Sequence, residues 1–569
     1  MSQTIGSKGS DVYTDTGSAI LTLSLMLVRG ASFLSIDDAI QLITSPSDLV
    51  NLIVLMFHVR NIRGGKGERD ISFNVFVSLY QRKPDLMLKL LDLFPLYGCW
   101  SDLLTLCQSI RDSKFQDAVL NLFATQLLDD SMKPDKELTL CAKWAPKERK
   151  SNHLLARALA LKLYPVLAGE DIRNSLRKYR ILVSSINGRL KTVEIAMSAR
   201  KFASINPSTV PGRAGKLYAR AFLNLVSTFR GNTFHKLTPL VINELRHPEN
   251  GDRMICRSQF QEHFAKAKEG KAKVHGVDTL FPHELVKKAY EDTLTDSEKD
   301  QLVAVWRNMV EKAKEGGGLG RSIFMCDFSG SMQSSTQGDL PYWVSLALGM
   351  LGSEVCCEFF RNMILTFDST PTIHRFPDGD LFERMNSIRR GIGQGTSTDF
   401  QAAMNLLAEI IKKQRIKPGQ EPENIIVLTD MNWDTACSSN ETSVYTGNTY
   451  RHHVKTEAWQ THLEMIKETF KRMGEDMWGT LEHGGLGGFK VPRIVIWNLS
   501  AGSTDFHAKF DTPGVSMLSG WSPTQFSVLQ KLGPQQVSPL ETLETELNHP
   551  RYDCVRERIA DLQTFDWVI

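Results

Sequence analysis

Cysteine is scarce. There are nine in 569 residues, none in a C-x-x-C pair, and Cys356 and Cys357 are merely adjacent. That excludes a disulfide scaffold and fits a reducing, intracellular setting, read here as cytoplasmic. Long apolar runs are missing too. No stretch reaches the ~18 apolar residues that a membrane span needs. The longest, Ala19–Val28 and Leu49–Phe57, are short or interrupted. Asp11 and Asp15 precede the first of them and Lys8 is the only basic residue there, the wrong flank for a signal peptide. A phosphate cradle is absent: Arg63-Gly-Gly-Lys-Gly-Glu-Arg69 lacks the P-loop spacing. No fixed-period repeat is visible. Net charge is nearly missing, at +3.

What is present is ordinary globular composition, 42% hydrophobic and 23% charged, in a chain long enough to bury a large core unaided. The small net charge hides an asymmetry. Residues 151–230 hold 14 basic and 3 acidic side chains, whereas residues 321–569 hold 22 and 30. Such a split bears on partners.

The pattern changes along the chain. After a tail at 1–11, residues 12–315 read as helices, with three- and four-residue apolar spacing in Gly17–Arg29, Ser47–Ile62, Lys83–Phe94 and Asp112–Leu128. Ser35 and Ser47 are the expected N-caps there, and Ser101 or Asp102 caps the helix after Tyr97. This predicts an irregular array of helical repeats. Gly316–Gly320 reads as a flexible joint. Beyond it, residues 321–569 alternate short apolar runs with helices. Arg321–Asp327, Met363–Asp368, Thr372–Phe376, Asn424–Asp430, Arg493–Leu499 and Val515–Gly520 read as strands. Alternation of this kind predicts a doubly wound, mainly parallel sheet, and hence an α plus α/β chain. Thr435–Val454 and Gly474–Lys490 read as surface insertions.

One loop carries chemistry. Asp327-Phe-Ser329-Gly-Ser331 follows a buried strand, where such sheets hold ligands. Its three side-chain oxygens suit Mg2+, with Mn2+ or Ca2+ as alternatives. Thr396-Ser-Thr398-Asp opens a helix further on, and Asp430 ends the next long strand. The set resembles the metal-ion-dependent adhesion site of a von Willebrand factor A domain, over about residues 321–530. On that resemblance Asp327, Ser329 and Ser331 are the first loop, Thr398 the second and Asp430 the third. Thr396 is the second choice, and Asp399 departs from the usual asparagine. The resemblance implies a bound metal with one position open to a partner's acidic group. The bland alternative is a set of loop oxygens that bond only to one another. No base or nucleophile accompanies them, since His374, His452 and His453 qualify by residue type alone, so no enzyme activity is expected.

Arg60–Asp70, Tyr97–Asp102, Cys141–Glu148, Leu280–Glu284, Thr429–Asp434, Trp497–Leu499 and Ser519–Pro523 together resemble an uncharacterised family of plants, fungi and large DNA viruses. The domain order also resembles the Ro autoantigen family. There a ring of helical repeats, the TROVE module, binds non-coding RNA. This resemblance implies RNA as a partner, and the basic stretch gives it a place. Arg173, Arg177 and Arg180, with Lys178 beside them, share a helix face, as do Arg213, Lys216 and Arg220. Tyr164, Tyr179, Phe202 and Tyr218 are either stacking platforms or core. The alternatives for the basic faces are solvation, or docking on acidic protein including the chain's own A-like domain. The expected function is a binding protein: RNA or another polyanion on the helices, and an acidic protein group at the metal. The rival is a protein-only assembly module without RNA, and a metal-dependent hydrolase comes third. A membrane partner is not expected.

Overall fold

The computed structural model describes residues 3–5, 11–166, 171–226, 229–230, 233–234, 243–291, 293–333, 340–367, 370–388, 391–392, 400–432, 459–501, 505–531 and 537–560. No helix among them is long and apolar enough to cross a membrane. The chain divides into two compact units, each assembled from separate segments. One comprises Met1–Ile43, Leu280–Asp292 and Gln301–His549; the other comprises Thr44–Thr279, Thr293–Asp300 and Pro550–Ile569. This differs from the linear boundary expected at 315–321.

The first unit is built on a six-stranded sheet. Its spatial order is Val515–Ser519, Arg493–Asn498, Asn424–Thr429, Ser322–Asp327, Met363–Phe367 and Ile373–Arg375. The first five strands are parallel, and Ile373–Arg375 closes one edge antiparallel to its neighbour. Every residue of Ser322–Asp327, Met363–Phe367 and Arg493–Asn498 is buried. Successive side chains point to opposite faces, so both faces are covered, as continuous apolar runs predict. The helix Pro341–Glu354 lies close on the central strand. A Cβ added at Gly349 would sit 2.4 Å from Cys326 Sγ, and one at Gly352 would sit 2.1 Å from the Phe324 ring. Only glycine allows that approach.

Strand order fixes where a ligand can sit. The chain runs outward from Ser322–Asp327 to one edge, then returns to the other side of that strand with Asn424–Thr429. The crevice at such a switch point opens at the carboxyl ends of the two central strands. Asp327 and Asp430 stand there.

The N-terminal segment belongs to this unit. Helix Ala19–Met26 is apolar nearly all round and buried at Ile20, Leu21, Thr22, Leu23, Ser24 and Leu25. It packs at the carboxyl ends of two strands: Asn498 Nδ2 donates to Leu25 O (3.1 Å) and Ser519 Oγ to Ser24 O (2.9 Å). The Gly316–Gly320 run is a packed turn rather than a joint between units. Gly317, Gly318 and Gly320 have positive φ, and Leu319 N–H donates to Val355 O at 3.0 Å. Thr435–Val454 lies outside the described residues, whereas the expected insertion at Gly474–Lys490 begins inside a helix, Trp459–Trp478.

The second unit is helical. Helix Pro46–Arg60 is its centre, buried continuously from Leu52 to Arg60. Its Arg60 Nε bonds Asp102 Oδ2 at 2.7 Å, with both side chains withdrawn from solvent. Residues 550–560 complete this core. Tyr552 is fully buried, with its hydroxyl 3.0 Å from His58 Nδ1, and Tyr97 donates to Arg551 O at 2.6 Å. Cap positions differ from the sequence reading. Ser32 and Ser45 cap their helices, accepting from Ser35 N and Asp48 N, and Cys99 precedes the Trp100 helix while Asp102 accepts its N–H. The expected helix Lys83–Phe94 is three short pieces, Pro84–Leu88, Leu91–Leu93 and Phe94–Tyr97. Pro95 supplies no N–H to an unbroken ladder.

Candidate metal centre and basic helix

Asp327 ends the central strand and is wholly buried, Ser329 is too, and Asp430 is 2% exposed. Each carboxylate closes its own turn. Ser329 N–H donates to Asp327 Oδ1 at 2.9 Å, and Asn432 N–H donates to Asp430 Oδ1 at 3.1 Å. Ser329 and Ser331 hydroxyls lie 3.0 Å apart. A residue the sequence reading passed over joins the two loops. Thr429 Oγ1 donates to Asp327 Oδ2 (2.9 Å) and accepts from Met431 N–H (3.2 Å). Thr398 and its alternative Thr396 lie outside the described residues.

The electrostatics of the pair are unbalanced. No Lys, Arg or His among the described residues forms an ion pair with Asp327 or Asp430. Burial, and then the Asp430 charge, push the Asp327 carboxyl up to about 7, against the pull of its bonds from Ser329 and Thr429. Two buried carboxylates without a counter-charge, beside hydroxyl oxygens, fit a hard divalent cation. Among the described residues no group of three or more His, Cys, Asp or Glu side chains has metal-holding geometry. A cation here would therefore rely on two carboxylates and on hydroxyls. The same contacts also satisfy the loop oxygens internally, as the bland alternative requires.

His374 is remote from this crevice. It stands on the edge strand, two strands from Asp327, with Nε2 3.0 Å from Ser387 Oγ. His452 and His453 lie outside the described residues. A histidine not singled out from the sequence is nearer. His507, 1% exposed, donates from Nε2 to Met431 O at 2.9 Å. Burial pushes its pKa from 6.5 down to about 4. The folded protein thus refuses a proton that the unfolded chain accepts. Stability from this group is intact above pH 6.5 and falls as pH drops toward about 4, by about 3 kcal/mol in all. Thermal unfolding across that range should show a shallower fall in His507→Gln, and equal slopes would refute the assignment.

The basic residues separate into two kinds. Arg173, Arg177, Lys178 and Arg180 are exposed along helix Ile172–Leu190. Arg180 is held bidentately by Glu148 (2.8 Å), and Arg173 lies 3.5 Å from Asp171. Arg177 makes no ion pair among the described residues. Arg213 and Lys216 are exposed on helix Gly212–Phe222. Arg220 is not available to a ligand. Its side chain is 15% exposed and pairs with Glu298, itself 3% exposed, at 2.9 Å. Two of the aromatics are core. Tyr179 is 3% exposed and donates to Pro146 O at 2.7 Å, and Phe202, also 3% exposed, lies under Arg253. Tyr164 and Tyr218 are half-buried, with Lys178 Nζ 5.9 Å from the Tyr164 ring centroid.

Comparison with known proteins adds little chemistry. Residues 321–551 match a family described as a domain of unknown function, DUF7788. An uncharacterized protein of Acanthamoeba polyphaga mimivirus is 22% identical over 560 residues, 94% of this chain and 85% of that protein. The alignment therefore spans the helical and sheet regions together. The crystal structure of the Deinococcus radiodurans RO (RSR) protein superposes with a TM-score of 0.38 at 12% identity, over 90% of this chain and 99% of that one. Similarity at that level transfers no function.

Proposed function

We propose that the protein is a non-enzymatic binding protein that takes an acidic partner group at a divalent cation. The observation that carries this reading is the Asp327–Asp430 pair, buried at the switch point of a parallel sheet with no counter-charge among the described residues. Asp327, Asp430, Ser329 and Ser331 would hold the cation, with Thr398 the expected fifth ligand from the A-domain resemblance. When bound, the cation would supply an electrophilic position for a partner's carboxylate. Mg2+ is the expected ion, since it keeps exchangeable waters. Calorimetric titration of the full chain with Mg2+ and Mn2+ tests the reading. Wild type should bind, and Asp430→Asn should bind about tenfold or more weakly, the scale of losing a charged ligand. No heat from the wild type would overturn it.

A second activity is favoured by helix Ile172–Leu190, where Arg173, Arg177, Lys178 and Arg180 all face solvent. We infer that this face holds RNA or another polyanion. Reversing Arg173, Arg177 and Arg180 to Glu should weaken RNA retention at low salt and flatten its salt dependence, because fewer counterions are released. Unchanged retention would favour the protein-only reading, in which acidic protein docks on this face.

A further inference from the structure

We propose that His507 is a positioning residue for the Asp430 carboxylate, acting through the peptide that joins Met431 to Asn432. The proposal rests on the cation reading above only for its functional consequence; the geometry stands by itself.

The two ends of one peptide plane are gripped from opposite sides. Its carbonyl, on Met431, accepts from His507 Nε2 at 2.9 Å. Its N–H, on Asn432, donates to Asp430 Oδ1 at 3.1 Å. A peptide is rigid and planar, with C=O and N–H directed oppositely, so fixing one end aims the other. The bond from His507 therefore aims the donor that holds Asp430.

That peptide needs holding. Met431 has φ of 69°, in the left-handed region that side chains other than glycine rarely adopt. Rotation of the 431–432 peptide would move Asn432 N–H away from Asp430. The preceding peptide of the same turn serves the second carboxylate, since Met431 N–H donates to the Thr429 hydroxyl that bonds Asp327. His507 is a fixed anchor for this purpose. Its neighbour Phe506 exchanges two backbone bonds with Tyr13 (2.9 and 3.1 Å), and Phe510 N–H donates to Thr16 O at 2.9 Å. The N-terminal segment thus seats the loop that seats Asp430. The neutral tautomer with the proton on Nε2 is the one required, since a carbonyl can only accept.

The test uses the full chain with two substitutions. His507→Leu removes the donor. His507→Gln keeps an amide N–H near the position of Nε2. Two measurements are made: Mn2+ affinity by calorimetry, and hydrogen exchange at Asn432 in metal-free protein. His507→Leu should bind Mn2+ about tenfold more weakly and exchange Asn432 about tenfold faster, as for one buried hydrogen bond lost. His507→Gln should stay within about threefold of wild type in both. General loosening would not be rescued by glutamine. Folded His507→Leu that matches wild type in both measurements overturns the proposal, as does His507→Gln that behaves like leucine. Wild type that binds no Mn2+ overturns the cation reading instead, and Asn432 exchange then decides positioning. If His507→Leu does not fold, His507→Met, also lacking a donor, carries the same expectation.

Discussion

Replacing Asp327 by asparagine is expected to abolish the response to Mg2+ and, at the same time, to stabilise the cation-free protein. Both follow from one arrangement. Asp327 and Asp430 are buried together, and Asp430 is a main reason, after burial itself, that the Asp327 carboxyl is raised to about 7. Because the folded value lies above the unfolded value of 3.8, stability from this group is complete below pH 3.8 and is lost as pH rises through about 7. At pH 8 the ionised pair therefore destabilises the folded protein when no cation is bound. Asparagine keeps the acceptor for Ser329 N–H. Its amide can donate to the Thr429 hydroxyl, which in the native protein donates to Asp327. Thermal unfolding at pH 8 in chelator should therefore rank the variant above wild type. Saturating Mg2+ should raise the wild type alone, since a ligand at a hundred times its Kd adds about 2.7 kcal/mol to the binding form only. A variant less stable than wild type in chelator, with equal Mg2+ shifts in both, would refute the arrangement.

Arg220→Ala is expected to destabilise the helical unit by about 3–5 kcal/mol, the usual cost of leaving a buried charge unpaired. Glu298 is 3% exposed, accepts from Arg220 Nη1 with both oxygens (2.9 and 3.0 Å), and also accepts from Thr295 N–H and Oγ1. Arg220 Nε further donates to Val226 O at 2.7 Å. Lysine cannot supply this fork and should rescue little. Arg220→Met combined with Glu298→Gln should recover part of the loss. Arg177→Ala, by contrast, should leave the denaturation midpoint within experimental scatter while weakening polyanion binding. Urea titrations of the single and double variants check this. If Arg220→Ala unfolds at the wild-type midpoint, the ion pair is not structural.

The contrast explains what the sequence could reveal. Spacing placed Arg213, Lys216 and Arg220 on one face, but periodicity does not say what covers a face. The partner of Arg220 lies 78 positions away. Tyr179 and Phe202 settle in the core, one of the two readings open to an aromatic among basic residues. The sheet was legible because its strands are short, apolar and buried on both faces. That reading put Asp327 and Asp430 at carboxyl ends of neighbouring strands. Thr429 and His507 were not legible as parts of the site. The first is hidden in an apolar run, and the second meets Met431 across 76 positions and another strand. The caps shifted for a local reason: a serine two or three residues earlier was better placed to accept the orphan N–H groups.

The division of the chain also has a consequence for synthesis and for fragment design. Residues 550–560 bring Tyr552 and a helix, Asp553–Ala560, into the helical core. The helices of residues 44–279 must then wait through the making of the entire sheet before their last buried side chain leaves the ribosome. A fragment ending at residue 315 would expose the seat of Tyr552 and would lack Arg558, the partner of Asp92 at 2.6 Å. A fragment beginning at residue 321 would lose the helix that caps two strands. Translation order and fold order run out of step in this chain, and cutting it at the glycine run wounds both units.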